Sequence, residues 1–462
     1  MASSIGIIGL GAMGKNLALN LIHQDIPVSV YSYQAKELSG FTQLQSDFPN
    51  IDVCENLEDF VASLSKPKKV LLMVTAGAAV DLVIDDIKDL LDEDDIIIDA
   101  GNSHFEDTQR REAKLKNDGI HYLGTGVSGG AMGARHGASI MAGGNHQAFT
   151  DTESLFSALA AKGPDTPCYT HIGPGGSGHF VKMVHNGIEY GIMQILAETY
   201  GLLRPQSSNL EIAEIFGDLN TTLLRSYLID ITAKVLRKQD DLTDASLVDM
   251  ISDQAAQKGT GQWTVTAAMQ LGVPIPTIVA AVTERNISAQ KTQRTKNHAV
   301  YGTNAINMKA NIDVNDIYGA LLASILLTYE QGIALIHAAS EHYQWHISSV
   351  DVIRVWRDGC IIRADLLAPI EKALLDSSAP LIRQDWTVEI MSKHLSCLRH
   401  LASTSIASGV SAPALCSTLA YFDSSITDPL PTNLIQAQRD YFGAHSYQRN
   451  DKEGQYKTDW DQ

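Results

Sequence analysis

An α/β half followed by a larger all-α half is the fold class this sequence predicts, and three observations carry it. Short β-branched runs alternate with helix-period segments from residue 4 to about 170. A glycine-rich turn, Gly9-Leu10-Gly11-Ala12-Met13-Gly14, follows the first of those runs directly. Beyond His171-Ile172-Gly173-Pro174-Gly175-Gly176-Ser177-Gly178, strand-like runs become rare and long helix-period segments take over. Parallel strands need a helical crossover between them, so the first pattern implies a doubly wound, Rossmann-like sheet. The expected units are residues 1–176, the sheet; 177–431, all helical; and 432–462, a C-terminal tail.

Within the sheet, Ile5–Ile8, Val28–Tyr31, 70–74, Ile96–Asp99, 121–124 and 139–142 read as strands. The glycine turn opens a helix through His23. Three glycines between a strand and a helix could be a mere tight turn. In this context they predict a dinucleotide site, where the pyrophosphate approaches a helix N-terminus. The second strand should then deliver the residues that read the adenosine ribose, an acid favouring NAD and an arginine NADP. Ser32-Tyr33-Gln34 is neither. Further on, 180–203 and 317–341 have helical period, and Asp428-Pro429-Leu430-Pro431 should stop the last helix and release a polar, aromatic tail.

Composition narrows the function classes. A length of 462 residues is too long for one core. With 44% hydrophobic and 19% charged residues, and no run near the ~18 uninterrupted apolar residues of a membrane span, no membrane partner is expected. The start Met1-Ala2-Ser3-Ser4 leads straight into a strand-like stretch, so a cytoplasmic protein without a secretory leader is expected. A formal charge of −18 argues against nucleic acid, and an anionic ligand would need cations converging locally. Cys54, Cys168, Cys360, Cys397 and Cys416 lack metal-ligand spacing; they are expected to be reduced, buried and inert, with no metal bound.

The chemistry concentrates in Lys182-Met183-Val184-His185-Asn186-Gly187-Ile188-Glu189-Tyr190. At roughly 3.6 residues per turn, Lys182, His185, Asn186 and Glu189 share one helix face. Val181, Val184, Ile188 and Ile192 would carry that polar stripe inward. The bland reading is a structural Lys–Glu network. The functional one is a base and an acid placed for proton transfer at two neighbouring substrate atoms. Two glycine turns, Asp99-Ala100-Gly101-Asn102-Ser103 and Gly126-Val127-Ser128-Gly129-Gly130, are expected at the carboxyl edge of the sheet, making Asn102 and Ser128 candidate hydrogen-bonding groups.

Taken together, GLGAMG at 9–14, GNS at 101–103, GVSGG at 126–130, GHFVKMVHNGIEYG at 178–191, KGTG at 258–261 and LIQAQRDYFGAHSY at 434–447 resemble the decarboxylating 6-phosphogluconate dehydrogenase family of the β-hydroxyacid dehydrogenase superfamily. The resemblance runs nearly end to end. It implies oxidative decarboxylation of 6-phospho-D-gluconate to D-ribulose 5-phosphate with NADP or NAD, a step of the pentose phosphate pathway. It implies Lys182 as the base that takes the 3-hydroxyl proton and then polarises the ketone, and Glu189 as the acid that protonates C1 of the enediol. Asn102, Ser128, Gly129, Gly130, His185 and Asn186 would hold the carboxylate and hydroxyls. Tyr190, Lys258 and Arg285 would hold the 6-phosphate, with Arg439 and His445 reaching in from the other subunit of a homodimer. The cofactor would lie on Gly9, Leu10, Gly11, Ala12, Met13 and Gly14, on Ser32, Tyr33 and Gln34, on Val74, Thr75 and Ala76, and against Asn102.

The chain departs from the family pattern where the cofactor's 2′-phosphate is expected. Ser32-Tyr33-Gln34 replaces Asn-Arg-Thr and Thr75 replaces a lysine, so two positive charges are gone; Lys36 is nearby, and no acidic residue selects NAD. Cofactor preference stays open between NADP and NAD. Ala131-Met132 replaces Glu-Glu, and Gln262 replaces a lysine. Two rival readings are a dehydrogenase of another hydroxyacid and a catalytically silent cofactor-binding scaffold. The first would leave Lys258, Arg285, Arg439 and His445 without a phosphate, and the second has no physical need for both Lys182 and Glu189.

Overall fold

The apolar runs of the N-terminal part form one eight-stranded sheet, seen in a computed structural model that describes residues 2–302 and 312–461. Its strands are β1 (Ile5–Ile8), β2 (Val28–Tyr31), β3 (Ile51–Val53), β4 (Lys69–Leu72), β5 (Ile96–Asp99), β6 (His121–Ser128), β7 (Ser139–Gly144) and β8 (Tyr169–Gly173). Their order is β3-β2-β1-β4-β5-β6-β7-β8. Neighbours are parallel through β6; β7 then runs antiparallel to β6, and β8 parallel to β7. Ile5, Ile7 and Ile8 of β1 and Ile96, Ile97 and Ile98 of β5 are fully buried, as strands covered by helices on both faces require. The order reverses between β1 and β4, which opens a crevice at their carboxyl ends.

Two strands escape the sequence reading. β3 has three residues and a single neighbour, and β8 is an edge strand whose Tyr-Thr-His run is only half-buried. β6 runs four residues past the expected end, through Gly126 and Ser128, because β7 pairs with it antiparallel along Leu123–Ser128.

Beyond β8 the described residues are helical. A central helix, Ser177–Leu203, crosses the 30-residue core helix Val314–Tyr343, which Asp313 and Asp316 cap reciprocally. The crossing is close at Gly332, where an added Cβ would lie 2.5 Å from Ile188 Cδ1. By length and composition the core helix could span a bilayer, but 94% of its most apolar window is buried inside the protein. The prolines at 429 and 431 do not end the last helix. A tail helix follows, Asn433–Gly443, with Leu434, Ile435, Tyr441 and Phe442 exposed. The five cysteines are free; Cys54, Cys168 and Cys360 are buried, whereas Cys397 and Cys416 are half-buried rather than fully so.

Candidate active site

Three turns meet at the crevice. Gly9 has φ +92°, and an added Cβ there would lie 2.6 Å from the Met73 carbonyl oxygen, in the strand end that leads into Val74-Thr75-Ala76. A Cβ on Gly14 would collide with the Gly9 carbonyl oxygen, so the turn is as tight as a glycine triplet allows. Gly11 caps the helix Ala12–Ile22, leaving its N-terminal N–H groups at the mouth. These features fit a dinucleotide pyrophosphate. From the other side, Gly101 approaches Val74 O to within 3.2 Å of its would-be Cβ. The Gly101-Asn102-Ser103 turn is fixed by Asp99, a fully buried carboxylate that accepts from Gly101 N at 3.1 Å, Ser103 Oγ at 2.6 Å and Tyr122 OH at 2.7 Å. Asp99 was not among the expected site residues; besides its local partners it accepts from Tyr122, 23 residues away.

The first turns of the central helix lie against β6 and β7. A Cβ on Gly126 would collide with Lys182 Cβ, so the lysine stem lies directly on the strand. Lys182, 6% exposed, donates from Nζ to Asn186 Oδ1 at 3.0 Å and lies 3.5 Å from His185 Nδ1. With Asn186 Oδ1 able only to accept, the His185 proton sits on Nδ1, 3.1 Å from that oxygen, and the Ser128 hydroxyl donates to Nε2 at 3.2 Å. Ser128 ends β6, and Gly129 and Gly130 lead into the helix Gly130–His136.

Burial holds the Lys182 ammonium below the usual lysine range, opposed by the charge of Glu189 and by Cys360. Burial also pushes the Cys360 thiol up to about 12, so near neutral pH Glu189 is the opposing charge that counts. Glu189 is more open, its side chain 22% exposed; burial raises its carboxyl, partly offset by Lys182 and Arg285. His185 is held neutral by burial and by the Lys182 charge. An amine and a carboxyl moved toward each other in proton affinity can hand protons in opposite senses at two atoms of one ligand.

A cationic end adjoins this pair. The Arg285 guanidinium lies 3.7 Å from the centre of the Tyr190 ring, and a Cβ on Gly261 would lie 2.6 Å from the same ring. Tyr190 and Arg285 thus meet beside Glu189, and Lys258 is exposed just before the helix Thr260–Leu271, three residues from Gly261. Arg439 and His445 are different. Arg439 donates to Gln436 at 3.2 Å and His445 packs on Phe442; among the described residues, no hydrogen bond or ion pair joins either to the groove. Ala131, Met132 and Gln262 are exposed. Among the described residues no cluster of three His, Cys, Asp or Glu side chains is placed to hold a metal ion.

The family model described as the C-terminal domain of 6-phosphogluconate dehydrogenase matches residues 178–460, and that of the NAD binding domain of 6-phosphogluconate dehydrogenase matches 4–173. The chain belongs to the 6-phosphogluconate dehydrogenase family. Relatives in the family include an NADP(+)-dependent decarboxylating 6-phosphogluconate dehydrogenase of Bacillus subtilis, 44% identical over 99% of this chain and 98% of its own. An NAD(+)-dependent decarboxylating form from the same organism is 42% identical, covering all of both chains. Plasmodium falciparum 6-phosphogluconate dehydrogenase, solved in its apo form and in complexes with NADP+ and with 6-phosphogluconate, superposes with a TM-score of 0.95 at 39% identity, over 99% of this chain and 100% of that one. Overall likeness to the two Bacillus relatives does not choose between the cofactors.

Proposed function

We propose that the protein oxidises 6-phospho-D-gluconate at C3 and decarboxylates it to D-ribulose 5-phosphate and CO2, with NADP or NAD as hydride acceptor. The observation that carries the reading is the buried Lys182, 3.0 Å from Asn186 Oδ1, on one helix face with Glu189 and next to the Tyr190–Arg285 pair. A bound nicotinamide supplies the hydride acceptor, its pyrophosphate held by the Gly9–Gly14 turn with Val74, Thr75 and Ala76 alongside.

Lys182 works twice. As the neutral amine favoured by burial, it takes the 3-hydroxyl proton while the C3 hydrogen leaves as hydride. As the resulting ammonium, it donates to the new C3 carbonyl oxygen and stabilises the negative charge that develops as the C1–C2 bond breaks and CO2 departs. Asn186 fixes the direction of the lysine by accepting from Nζ, and His185 Nδ1–H holds that amide oxygen in place. With Asn102, Ser128, Gly129 and Gly130 they hold the substrate carboxylate and hydroxyls. Glu189, whose carboxyl keeps its proton to higher pH than an ordinary glutamate, protonates the enediol carbon that carried CO2. Tyr190, Lys258 and Arg285 hold the 6-phosphate by charge-assisted contacts, which is how a chain of charge −18 takes an anionic sugar acid.

The protein works as a cytoplasmic homodimer in the pentose phosphate pathway, with Arg439 and His445 completing the phosphate site of the opposite subunit. The exposed apolar side chains of the tail helix support this arrangement, as does the confinement of both residues' contacts to the tail. Residues 1–176, 177–431 and 432–462 act as cofactor, substrate and cross-subunit units. The purified protein, given 6-phosphogluconate or gluconate with NADP or NAD, should reduce a nicotinamide and release CO2 in equal amounts with the phosphorylated acid. Equal rates with gluconate would overturn the substrate assignment.

A further inference from the structure

The adenosine end of the crevice contains a carboxylate outside the 32–34 segment. β2 ends at Tyr31, and Ser32-Tyr33-Gln34 lead into the helix Ala35–Thr42. The first turn of that helix sends Glu37 back over the glycine turn. Glu37 Oε2 accepts from Leu10 N at 3.1 Å and from Ser32 Oγ at 2.6 Å, while Oε1 lies 3.9 Å from where a Cβ on Gly11 would stand. One oxygen thus pins the turn and the other faces the mouth.

The surroundings do not neutralise it. Tyr33, which takes the place of the family's arginine, is 52% exposed and donates its phenol to Asp86, a second carboxylate, 53 residues away. Thr75, in place of the family's lysine, is exposed and uncharged. Lys36 is adjacent in sequence and exposed, and among the described residues neither it nor any other cation forms an ion pair with Glu37.

We propose that Glu37 is the residue that reads the adenosine ribose, accepting a hydrogen bond from the 2′-hydroxyl of NAD and repelling the 2′-phosphate of NADP. A carboxylate only accepts hydrogen bonds, and a phosphate monoester carries about −1.5 to −2 charge near neutral pH, so the two cannot pair. The proposal rests on the crevice being a dinucleotide site. It adds a selecting charge to what would otherwise be only the loss of two cations.

Calorimetric binding of NAD and of NADP to the full-length protein tests it, in wild type, Glu37→Gln and Tyr33→Arg, with thermal melting alongside. Glutamine keeps an oxygen for Leu10 N–H and the Ser32 hydroxyl while removing the charge. Wild type should bind NAD about tenfold or more tighter than NADP, and Glu37→Gln should shrink that ratio about tenfold, mainly through tighter NADP, without a change in melting. Tyr33→Arg should shift the ratio in the same direction by adding a cation. A wild type that prefers NADP, or a ratio untouched by Glu37→Gln, would overturn the proposal. So would equal weakening of both nucleotides with a lower melting temperature, which would make Glu37 only a pin for the turn. Wild type binding neither nucleotide would overturn the dinucleotide reading itself, and the proposal with it.

Discussion

Replacing Lys182 by methionine should separate chemistry from folding. The methionine keeps an unbranched stem against Gly126 in a site where Lys182 is 6% exposed. It loses the hydrogen bond to Asn186 Oδ1, about 1–3 kcal/mol, but also removes the need to bury an ammonium, a penalty of several kcal/mol. Asn186 Oδ1 keeps His185 Nδ1–H as a donor at 3.1 Å, so no buried acceptor is stranded. The melting temperature should therefore stay close to wild type or rise. Turnover should not survive. A general base contributes about 10²–10⁴ and an electrostatic donor at the developing oxyanion about 10²–10³; one group serving successive steps makes these overlap, so a loss of about 10³–10⁴ in kcat is expected. Formation of the reduced nicotinamide followed by absorbance, with cofactor binding measured by calorimetry, checks both halves. A Met variant that folds, binds cofactor and retains more than about one-hundredth of wild-type kcat would refute the assignment of Lys182 as base.

Glu189→Gln should lower kcat by about 10²–10³ and remove the alkaline limb of the pH profile. The sign follows from burial: the raised carboxyl pKa keeps the acid protonated past the usual glutamate range, and activity is lost as pH rises through it. The same limb persisting in the glutamine variant would count against Glu189. Deleting residues from 432 onward should raise KM for 6-phosphogluconate about ten- to a hundredfold, as the loss of an arginine–phosphate contact implies, and shift sedimentation to the monomer; an active monomer with unchanged KM would rule out a shared site. Glu198, 3% exposed on the central helix, accepts from the backbone N–H groups of Ala414 and Leu415 at 2.8 Å each, capping the helix Pro413–Ser425. Glu198→Ala leaves both donors buried and unpaired, so thermal melting should show a destabilisation of about 2–4 kcal/mol.

The sheet was legible wherever a strand was buried on both faces, because β1 and β5 are nearly continuous isoleucine runs and β2 is β-branched and aromatic around a single serine. It was not legible at β3 and β8, whose pairing is set by the rest of the sheet rather than by their own composition. The polar face of the central helix could be read from spacing alone, since Lys182, His185 and Asn186 meet within about one turn. Glu37 and Asp99 could not. Glu37 works through Leu10, a partner brought near by folding, whereas Asp99 holds the nearby Gly101 and Ser103 and only its further contact to Tyr122 depends on the fold; neither falls on a position where a motif asks for an acid. The tail prolines were read as the end of helical structure, yet Leu434, Ile435 and Tyr441 sustain one more helix whose apolar side chains are exposed in a single chain.

The central helix has a mechanical consequence. It is one unbroken beam of 27 residues, its first turn anchored by Ser177 Oγ to Gly173 O at 2.7 Å in β8 and its far half fastened through Glu198. Lys182 and Glu189, the proposed base and acid, ride on the stretch between those anchors. Helices bend sharply at prolines, Gly/Ser pairs, bulges or inserted groups, and this one holds no proline, so a hinge between the sheet and the helical body would have to break the element that carries Lys182 and Glu189. Motions that admit the sugar acid and let carbon dioxide and pentose escape must then come from parts that do not ride on the beam: the Lys258 turn, the glycine loops at the sheet edge and the tail.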